Sequence, residues 1–194
     1  MSSPPALLVV DIQGGTLGRS FAPRSAEDCL TAALKLAGKV RDTGGVVVVT
    51  RSAFAPDLAD VPPGPVDKRM PILSSGRPPD WDNLPHALSA IADMIVERPH
   101  WNAFHGTDLD NALRLHSVRD LIFVGLTTNF SIESTARDGW ERGYAQWFAA
   151  DAMASISDET HRFALETTLP RLGRVRNCAV LSRLLAPARP DPLP

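Results

Sequence analysis

The amino-acid sequence predicts a three-layer α/β/α domain on a mostly parallel sheet of about six strands, with a Rossmann-like topology. Short continuous apolar runs, typical of strands buried on both faces, recur along the chain. Segments with the apolar spacing of helices separate them, and this alternation favours parallel pairing through right-handed crossovers. The apolar runs lie at 6–10, 46–50, 94–96, 121–124, 145–150 and around Val175.

The intervening helices are predicted from apolar periodicity and from residues that cap helix ends. Ser25 and Asp28 have the spacing of a capping box, and the helix that they begin should end before Gly44-Gly45. A helix that begins at Ser157 should end at Pro170, and a last helix is expected over 179–185. The other expected caps are Asn83 for a helix over 84–92, Thr107 with Asp110, and Thr128 or Asn129.

Composition bounds the class of protein. The 194 residues are 44% apolar and 22% charged with a formal net charge of −2, which is typical of one soluble globular domain. The charge favours neither nucleic acid nor an anionic membrane as a partner, and no apolar run approaches the roughly 18 residues that span a bilayer. Cys29 and Cys178 lack metal-ligand spacing. We expect a cytoplasmic protein, with a domain over 1–186 and a flexible tail over 187–194.

The segment 51–81 is rich in proline and shows little periodicity. It contains seven prolines, and it is longer than most connections within a compact domain. Connections of this length commonly form binding loops or arms for self-association. We therefore expect one of these two roles for the segment.

Polar side chains stand at the carboxyl ends of three predicted strands. Asp11 follows the first strand, Arg98 follows the third, and Ser131 lies in the first turn of the helix after the fourth. Ligands of parallel α/β sheets bind beyond these ends, where the strand order reverses. The start of a helix also presents backbone donors that suit a nucleophile or an oxyanion site. An ordinary strand-to-helix junction that carries a serine has the same sequence pattern.

Three segments in register resemble the isochorismatase-like hydrolase superfamily, also called the cysteine hydrolases. They are residues 8–13 (LVVDIQ), 98–109 (RPHWNAFHGTDL) and 125–136 (GLTTNFSIESTA). The resemblance implies a hydrolase of a small metabolite. The family's usual aspartate, lysine and cysteine correspond to Asp11, Arg98 and Ser131, so the chain resembles a branch that lacks the cysteine nucleophile.

The resemblance also implies roles for individual residues. Asp11 would be the general acid or base, Arg98 its charge partner, and Ser131 a hydrogen-bond donor or water-positioning group. A cis peptide bond between Leu126 and Thr127 is expected, with the N–H groups of Thr127 and Ser131 forming an oxyanion hole. The residues expected to contact the substrate are Gln13, Trp101, Phe104 and Asn129. The histidines His100, His105 and His161 are expected at the surface or at helix ends.

Several functions remain open at this point. The family commonly forms dimers or tetramers, so we expect a homo-oligomer that acts on a small molecule. No metal or other cofactor is expected, because the segment after the second strand lacks the histidines of the zinc-binding nicotinamidase branch. One possibility is direct attack by water on an enol ether or an amide, with Asp11 as acid or base. The alternatives are an amidase with Ser131 as acyl nucleophile, and a catalytically silent fold that binds a metabolite or a protein.

Overall fold

The computed structural model describes residues 3–62, 64–68 and 76–186. Six strands within these residues form one sheet in the order β3-β2-β1-β4-β5-β6, and neighbouring strands are parallel throughout. The predicted fold class is therefore confirmed. The strands are β1 (Ala6–Val10), β2 (Val46–Ser52), β3 (Met94–Arg98), β4 (Asp120–Leu126), β5 (Ala145–Ala154) and β6 (Arg174–Arg176).

Helices cover both faces of the sheet. The helices α1, α2 and α7 pack their apolar sides on one face, and α3, α4 and α6 pack on the other, which gives the three predicted layers. Their bounds are α1 (Ala26–Arg41), α2 (His86–Ile91), α3 (Leu109–Leu115), α4 (Glu133–Glu141), α5 (Asp158–Phe163), α6 (Leu169–Leu172) and α7 (Cys178–Leu185), with π-helical segments at Thr128–Ile132 and Ala164–Thr168.

The central strand β1 fixes the register of the sheet. All five of its residues are buried; Leu7 and Val9 face the layer of α1, and Leu8 and Val10 face the opposite layer. Burying an aliphatic side chain of this size contributes about 1.5–3 kcal/mol. A shift by one residue would exchange the two faces, so the position at which β1 ends is well determined.

The predicted caps are confirmed where the side chain bonds locally. Ser25 and Asp28 form the reciprocal capping box of α1, and Ser157 accepts a hydrogen bond from the N–H group of Thr160 at the start of α5. The prediction for Asn83 is wrong, because α2 begins after Pro85 without a side-chain cap.

The capping box predicted from Thr107 and Asp110 is also wrong. The helix α3 begins after Asp108, which forms no side-chain cap, and Oγ1 of Thr107 accepts only a 3.3 Å bond from the N–H group of Leu109. The Thr107 hydroxyl donates to the carbonyl group of Ala103 at 2.6 Å, and Asp110 accepts from the hydroxyl of Tyr144 at 2.7 Å. Asp110 therefore has a tertiary partner, whereas Thr107 bonds within its own loop.

Some element boundaries differ from the prediction. The third strand was predicted over 94–96 but continues to Arg98, and β5 continues to Ala154 with an irregularity opposite β4. The chain also remains helical through Pro170. Proline is tolerated there because the regular hydrogen bonding is interrupted just before it, where the N–H group of Leu169 donates to Ala164 in the i to i−5 pattern.

Two predictions fall partly or wholly outside the described residues. The proline-rich segment 51–81 includes residue 63 and residues 69–75, and the tail 187–194 lies entirely outside. The arm, the tail and the domain boundary at 186 therefore remain predictions. In the described part of the chain, no helix has the length and apolar character needed to cross a bilayer.

Candidate active site

Asp11 follows β1 where the strand order reverses. Its φ angle is 51°, in the left-handed region that aspartate and asparagine tolerate better than most residues. The N–H group donates to the Thr50 carbonyl at 3.1 Å, and the Asp11 carbonyl accepts from Oγ1 of Thr16 at 2.8 Å. These bonds hold the backbone on both sides, and the residue is only 6% exposed.

The carboxylate of Asp11 accepts hydrogen bonds from three side chains. Nη2 of Arg98 lies 2.9 Å from both carboxylate oxygens. Oγ1 of Thr50 donates to Oδ1 at 3.0 Å, and Oγ of Ser131 donates to Oδ2 at 2.7 Å. The three residues predicted from the strand ends are thus brought together. Donors directed at a carboxylate stabilise its ionised form.

Arg98 brings a second charge into the interior. The residue is 2% exposed, and of its guanidinium nitrogens only Nη2 bonds to Asp11. Nε and Nη1 find no acceptor among the described residues. Asp11 therefore neutralises a buried guanidinium group. Removing one partner of such a pair costs about 3–5 kcal/mol, since the remaining charge stays buried and unpaired.

A close approach between β1 and β4 places Ser131 next to Asp11. Gly125 in β4 has a φ angle of 109°, and a Cβ atom added to it would lie 2.2 Å from the carbonyl oxygen of Val10. Only glycine fits such a position without displacement of the neighbouring strand. The strands can then end side by side, with Asp11 after one and the turn that carries Ser131 after the other.

The turn that contains Ser131 is π-helical, over Thr128–Ile132. The peptide bond between Leu126 and Thr127 is cis, as the family resemblance implies. The carbonyl of Thr127 accepts from the N–H groups of Phe130 and Ile132 at 3.2 Å each. The N–H group of Thr127 itself has no acceptor within the described residues, so it is free to bind a ligand atom.

Thr128 and Asn129 do not cap the following helix. Oγ1 of Thr128 donates to the carbonyl of Ala154 at 3.0 Å and lies 2.8 Å from Nδ1 of His161. Asn129 accepts from the hydroxyl of Ser155. Both side chains instead attach the turn to the end of β5 and to α5. These contacts lie on the β5 side of β4, whereas Asp11 follows β1 on the other side.

His161 is buried, which corrects its prediction as a surface or capping residue. It is 4% exposed, and it contacts Thr128 rather than a helix end. Burial, together with the positive charge of Arg24, lowers the pKa of His161, although Asp158 opposes the shift. The imidazole is therefore held in its neutral form against the turn.

Two of the expected substrate contacts, Gln13 and Phe104, are buried, and their contact with a substrate stays a prediction. Gln13 is fully buried; its amide nitrogen donates to the carbonyls of Ser52 at 2.9 Å and Trp81 at 2.7 Å, and its oxygen accepts from the N–H group of Ser52 at 2.8 Å. Its amide group is occupied by the last residue of β2 and by the carbonyl of Trp81. Phe104 is 4% exposed and stacks on Tyr144 at 5.8 Å, so it fills the core.

The other two expected contacts stay candidates. Asn129 is half-buried, and its amide nitrogen has no partner among the side-chain hydrogen bonds of the described residues. Trp101 is 49% exposed, and its ring centroid lies 4.8 Å from that of Phe130. Both residues lie close in sequence to a residue that contacts Asp11.

Neither cysteine has the character of a nucleophile. Cys29 lies on the buried side of α1, and burial raises the pKa of its thiol to about 12. Burial and a hydrogen bond with Asp151 raise the pKa of Cys178 to about 12 as well. Reactive cysteines are thiolates with a lowered pKa. Neither Cys29 nor Cys178 therefore replaces the cysteine nucleophile that the family usually has at the position of Ser131.

Other features of the described chain lie apart from this site. A groove of about 350 Å³ runs between β3 and α3, but its lining includes none of the residues that contact the Asp11 carboxylate. Among the described residues, no group of three or more histidine, cysteine, aspartate or glutamate side chains is arranged to hold a metal ion.

Comparison with known proteins places these features in a family context. The sequence profile described as the isochorismatase domain matches residues 5–179. The uncharacterized isochorismatase family protein YecD of Escherichia coli O157:H7 is 36% identical over 173 residues, which cover 89% of this chain and 91% of that protein. The ureidoacrylate amidohydrolase RutB of Methylobacterium radiotolerans is 37% identical over 99 residues, 50% of this chain and 38% of that protein.

The fold is also similar to a solved structure. An isochorismatase family protein from Burkholderia thailandensis superposes with a TM-score of 0.88 at 30% sequence identity. The superposition covers 95% of this chain and 97% of that chain. The similarity therefore extends over the whole sheet and both helical layers.

Proposed function

Because the chain belongs to the isochorismatase family of hydrolases, we propose that it hydrolyses an amide carbon–nitrogen bond of a small metabolite at Asp11, Arg98 and Ser131. The observation that carries this proposal is the Asp11 carboxylate, which accepts from Ser131 at 2.7 Å while it is paired with Arg98. The similarity to a ureidoacrylate amidohydrolase supports the choice of an amide bond.

The hydrogen bonds of Asp11 favour an amide over an enol ether. Hydrolysis of an enol ether begins with protonation of carbon, which requires a protonated carboxyl group as general acid. Asp11 instead accepts hydrogen bonds from three donors and faces a buried guanidinium group, which is the arrangement of a hydrogen-bond acceptor rather than of a proton donor. An ionised carboxylate suits a general base that removes a proton from an attacking group.

In the proposed reaction Asp11 activates water. The water oxygen attacks the carbonyl carbon, its proton passes to Asp11, and the carbon–nitrogen bond breaks as that proton is delivered to the leaving nitrogen. The products are a carboxylic acid and an amine or ammonia. General base catalysis of this kind typically contributes about 10²–10⁴-fold, and Ser131 orients the water through its free lone pairs.

Backbone donors supply the second contribution. The carbonyl oxygen of the substrate gains negative charge as water attacks, and we assign its stabilisation to the N–H groups of Thr127 and Ser131. The absence of an acceptor for the Thr127 N–H within the described chain supports this role. One such donor is worth about 2.7–4 kcal/mol of the barrier.

A second mechanism uses Ser131 as the nucleophile. Its 2.7 Å contact with Asp11 is within the distance expected between a nucleophile and its base. Oγ would attack the carbonyl carbon as its proton passes to Asp11, the amine would leave with that proton, and water would then hydrolyse the acyl ester. Both mechanisms use Asp11 as the base, so the pairing with Arg98 does not separate them; we favour direct attack by water because it needs no covalent intermediate.

The test is a panel of small amides, ureido acids and chorismate-type enol ethers. We expect release of ammonia or an amine from at least one amide or ureido compound. Hydrolysis of enol ethers without hydrolysis of any amide would contradict the proposal. Intact-protein mass spectrometry during turnover separates the two mechanisms, because a covalent acyl group that disappears in Ser131→Ala is expected only from the second.

We further propose that the protein acts in the cytoplasm as a homo-oligomer. The two cysteines are free thiols, which suits a reducing compartment, and the proline-rich segment 51–81 has the length of an arm for self-association. Light scattering at micromolar concentration should give a mass of two or four chains. A mass of one chain would contradict the proposed self-association.

A further inference from the structure

Arg98 and Ser131 reach the same carboxylate from elements that are not neighbours in the sheet. Arg98 ends the edge strand β3, and two other strands separate β3 from β4, which leads into the turn of Ser131. With about 4.8 Å between neighbouring strands, the ends of β3 and β4 are about 14 Å apart. A direct attachment between the loop after Arg98 and the helix after Ser131 would therefore fix the two residues relative to each other.

The hydroxyl group of Thr135 in α4 forms such an attachment. Its Oγ1 accepts from the N–H group of Ala103 at 3.0 Å and donates to the Trp101 carbonyl at 3.4 Å. Both Thr135 and Ala103 are fully buried, so water does not compete for the bond between them. One hydroxyl group thus satisfies a donor and an acceptor in the loop 99–108, which runs from β3 to α3.

The position of Thr135 in its helix links this contact to Ser131. The two residues are four positions apart, about one helical turn, so their side chains lie on the same side. A threonine within a helix commonly donates to a carbonyl three or four residues earlier. Within the described chain, however, both bonds of this hydroxyl group go to the loop 99–108. They therefore stabilise the junction between loop and helix rather than the helix itself.

A second contact attaches the same loop one turn further along α4. The side-chain amide of Asn102 donates to Asp138 at 2.7 Å, and Oδ1 of Asn102 accepts from the N–H group of Phe104 at 2.9 Å. Asp138 is held in turn by Arg142, whose Nε lies 2.5 Å from its other carboxylate oxygen. The loop is therefore attached to two successive turns of the helix that follows Ser131.

We propose that Thr135 is a positioning residue of the proposed reaction, because it holds the loop of Arg98 in a fixed place against the helix of Ser131. The inference rests on the proposed amide hydrolysis. Both bonds of the Thr135 hydroxyl go to the loop, so it acts through the loop and the first turn of α4 on the two groups that contact Asp11. A displacement of about 1 Å can lower a rate by about 10²-fold.

The first test is the kinetics of Thr135→Val, which removes both hydrogen bonds at nearly constant volume. The substrate is the amide or ureido acid of the panel that wild type hydrolyses fastest. We expect kcat to fall by about 10- to 100-fold with little change in KM, because a misplaced group impairs the transition state more than substrate binding. Thr135→Ser retains the hydroxyl group and should keep most of kcat. The matched control Thr43→Val removes a bond to the Val40 carbonyl beyond the end of α1 and should leave kcat unchanged.

Unfolding by urea gives a second readout, which needs no substrate. If Thr135 helps to hold Arg98 on Asp11, Arg98→Met should cost less stability in the Thr135→Val protein than in wild type. A threonine that only stabilised the fold would give losses that add. Should Thr135→Val not fold, Asn102→Asp replaces it in both measurements, because the new carboxylate repels Asp138 and separates the same loop from α4.

Three results would overturn the inference: an unchanged kcat in Thr135→Val, an equal fall of kcat in Thr135→Ser or Thr43→Val, or losses of stability that add. Coupled losses of stability in a protein that hydrolyses no amide or ureido acid contradict the proposed function and leave the positioning role intact. Hydrolysis with an unchanged kcat in Thr135→Val contradicts the positioning role alone.

Discussion

The hydroxyl group of Ser131 donates a 2.7 Å hydrogen bond to Oδ2 of Asp11 across 120 positions of the sequence. The contact joins the carboxyl ends of β1 and β4, between which the strand order reverses. Both residues are buried, at 5% and 6% exposure. The proposed chemistry and the stability of the fold therefore depend on the same contacts.

Asp11→Asn should lower the free energy of unfolding by about 3–5 kcal/mol, because the amide leaves the Arg98 charge buried without an anion. Addition of Arg98→Met should recover most of this loss, since an apolar side chain removes the unpaired charge. Urea denaturation of wild type, both single variants and the double variant measures the coupling between the residues. Losses that simply add would show that the ion pair contributes nothing.

Gly125→Ala should destabilise the protein by about 3 kcal/mol, from a positive φ angle combined with a clash against Val10. Gly143→Ala is the matched control, because Gly143 has a φ angle of 85° but open space around its Cβ position. It should cost only about 1 kcal/mol. Thermal or urea unfolding compares the two, and equal losses would show that β1 and β4 are not in close contact.

The stability of the protein should depend on pH through His161. Burial lowers the pKa of this histidine below the usual value of about 6.5. The unfolded chain then takes up a proton at a higher pH than the folded chain. Stability should be complete above about pH 6.5 and should fall as the pH decreases below it.

Urea denaturation at about pH 7.5 and pH 5.5 measures this decrease. His161→Asn should reduce the difference between the two pH values, and the same substitution at the exposed His116 should not. If the His116 variant and the His161 variant give the same pH dependence, the buried imidazole is not its source.

Activity should survive treatment with iodoacetamide. Cys29 is fully buried, and the raised pKa of both thiols, about 12, leaves little thiolate at neutral pH. Peptide mass mapping of the native protein should show Cys29 unmodified, and turnover of an identified substrate should be unchanged. If turnover is lost in proportion to the modification of either cysteine, the proposal that the reaction uses no cysteine is wrong.

Much of the site could be predicted because its residues stand at strand ends. The apolar runs before Asp11 and before the turn of Ser131 determine parallel strands, and parallel strands place their carboxyl ends together. Thr50 was missed although it closes the apolar run of β2, which lies next to β1 with Thr50 paired to Val10. A polar residue at the end of a neighbouring strand was the available signal.

Side chains with distant partners could not be predicted locally. Gln13, Thr128 and His161 each bond across the fold, and nothing in their own neighbourhood in the sequence indicates those partners. The same reason explains the cap expected from Asn129, whose side chain bonds to Ser155 instead. Local spacing predicts a local bond only when no tertiary partner competes.

The most direct test of the proposed function compares wild type with the Asp11→Asn/Arg98→Met double variant on an amide substrate from the panel. The double variant removes the carboxylate without leaving a buried charge, so its loss of activity does not reflect unfolding. We expect kcat/KM to fall by about 10²–10⁴-fold while the urea midpoint stays close to that of wild type. Undiminished kcat/KM in the folded double variant would place the reaction elsewhere on the protein.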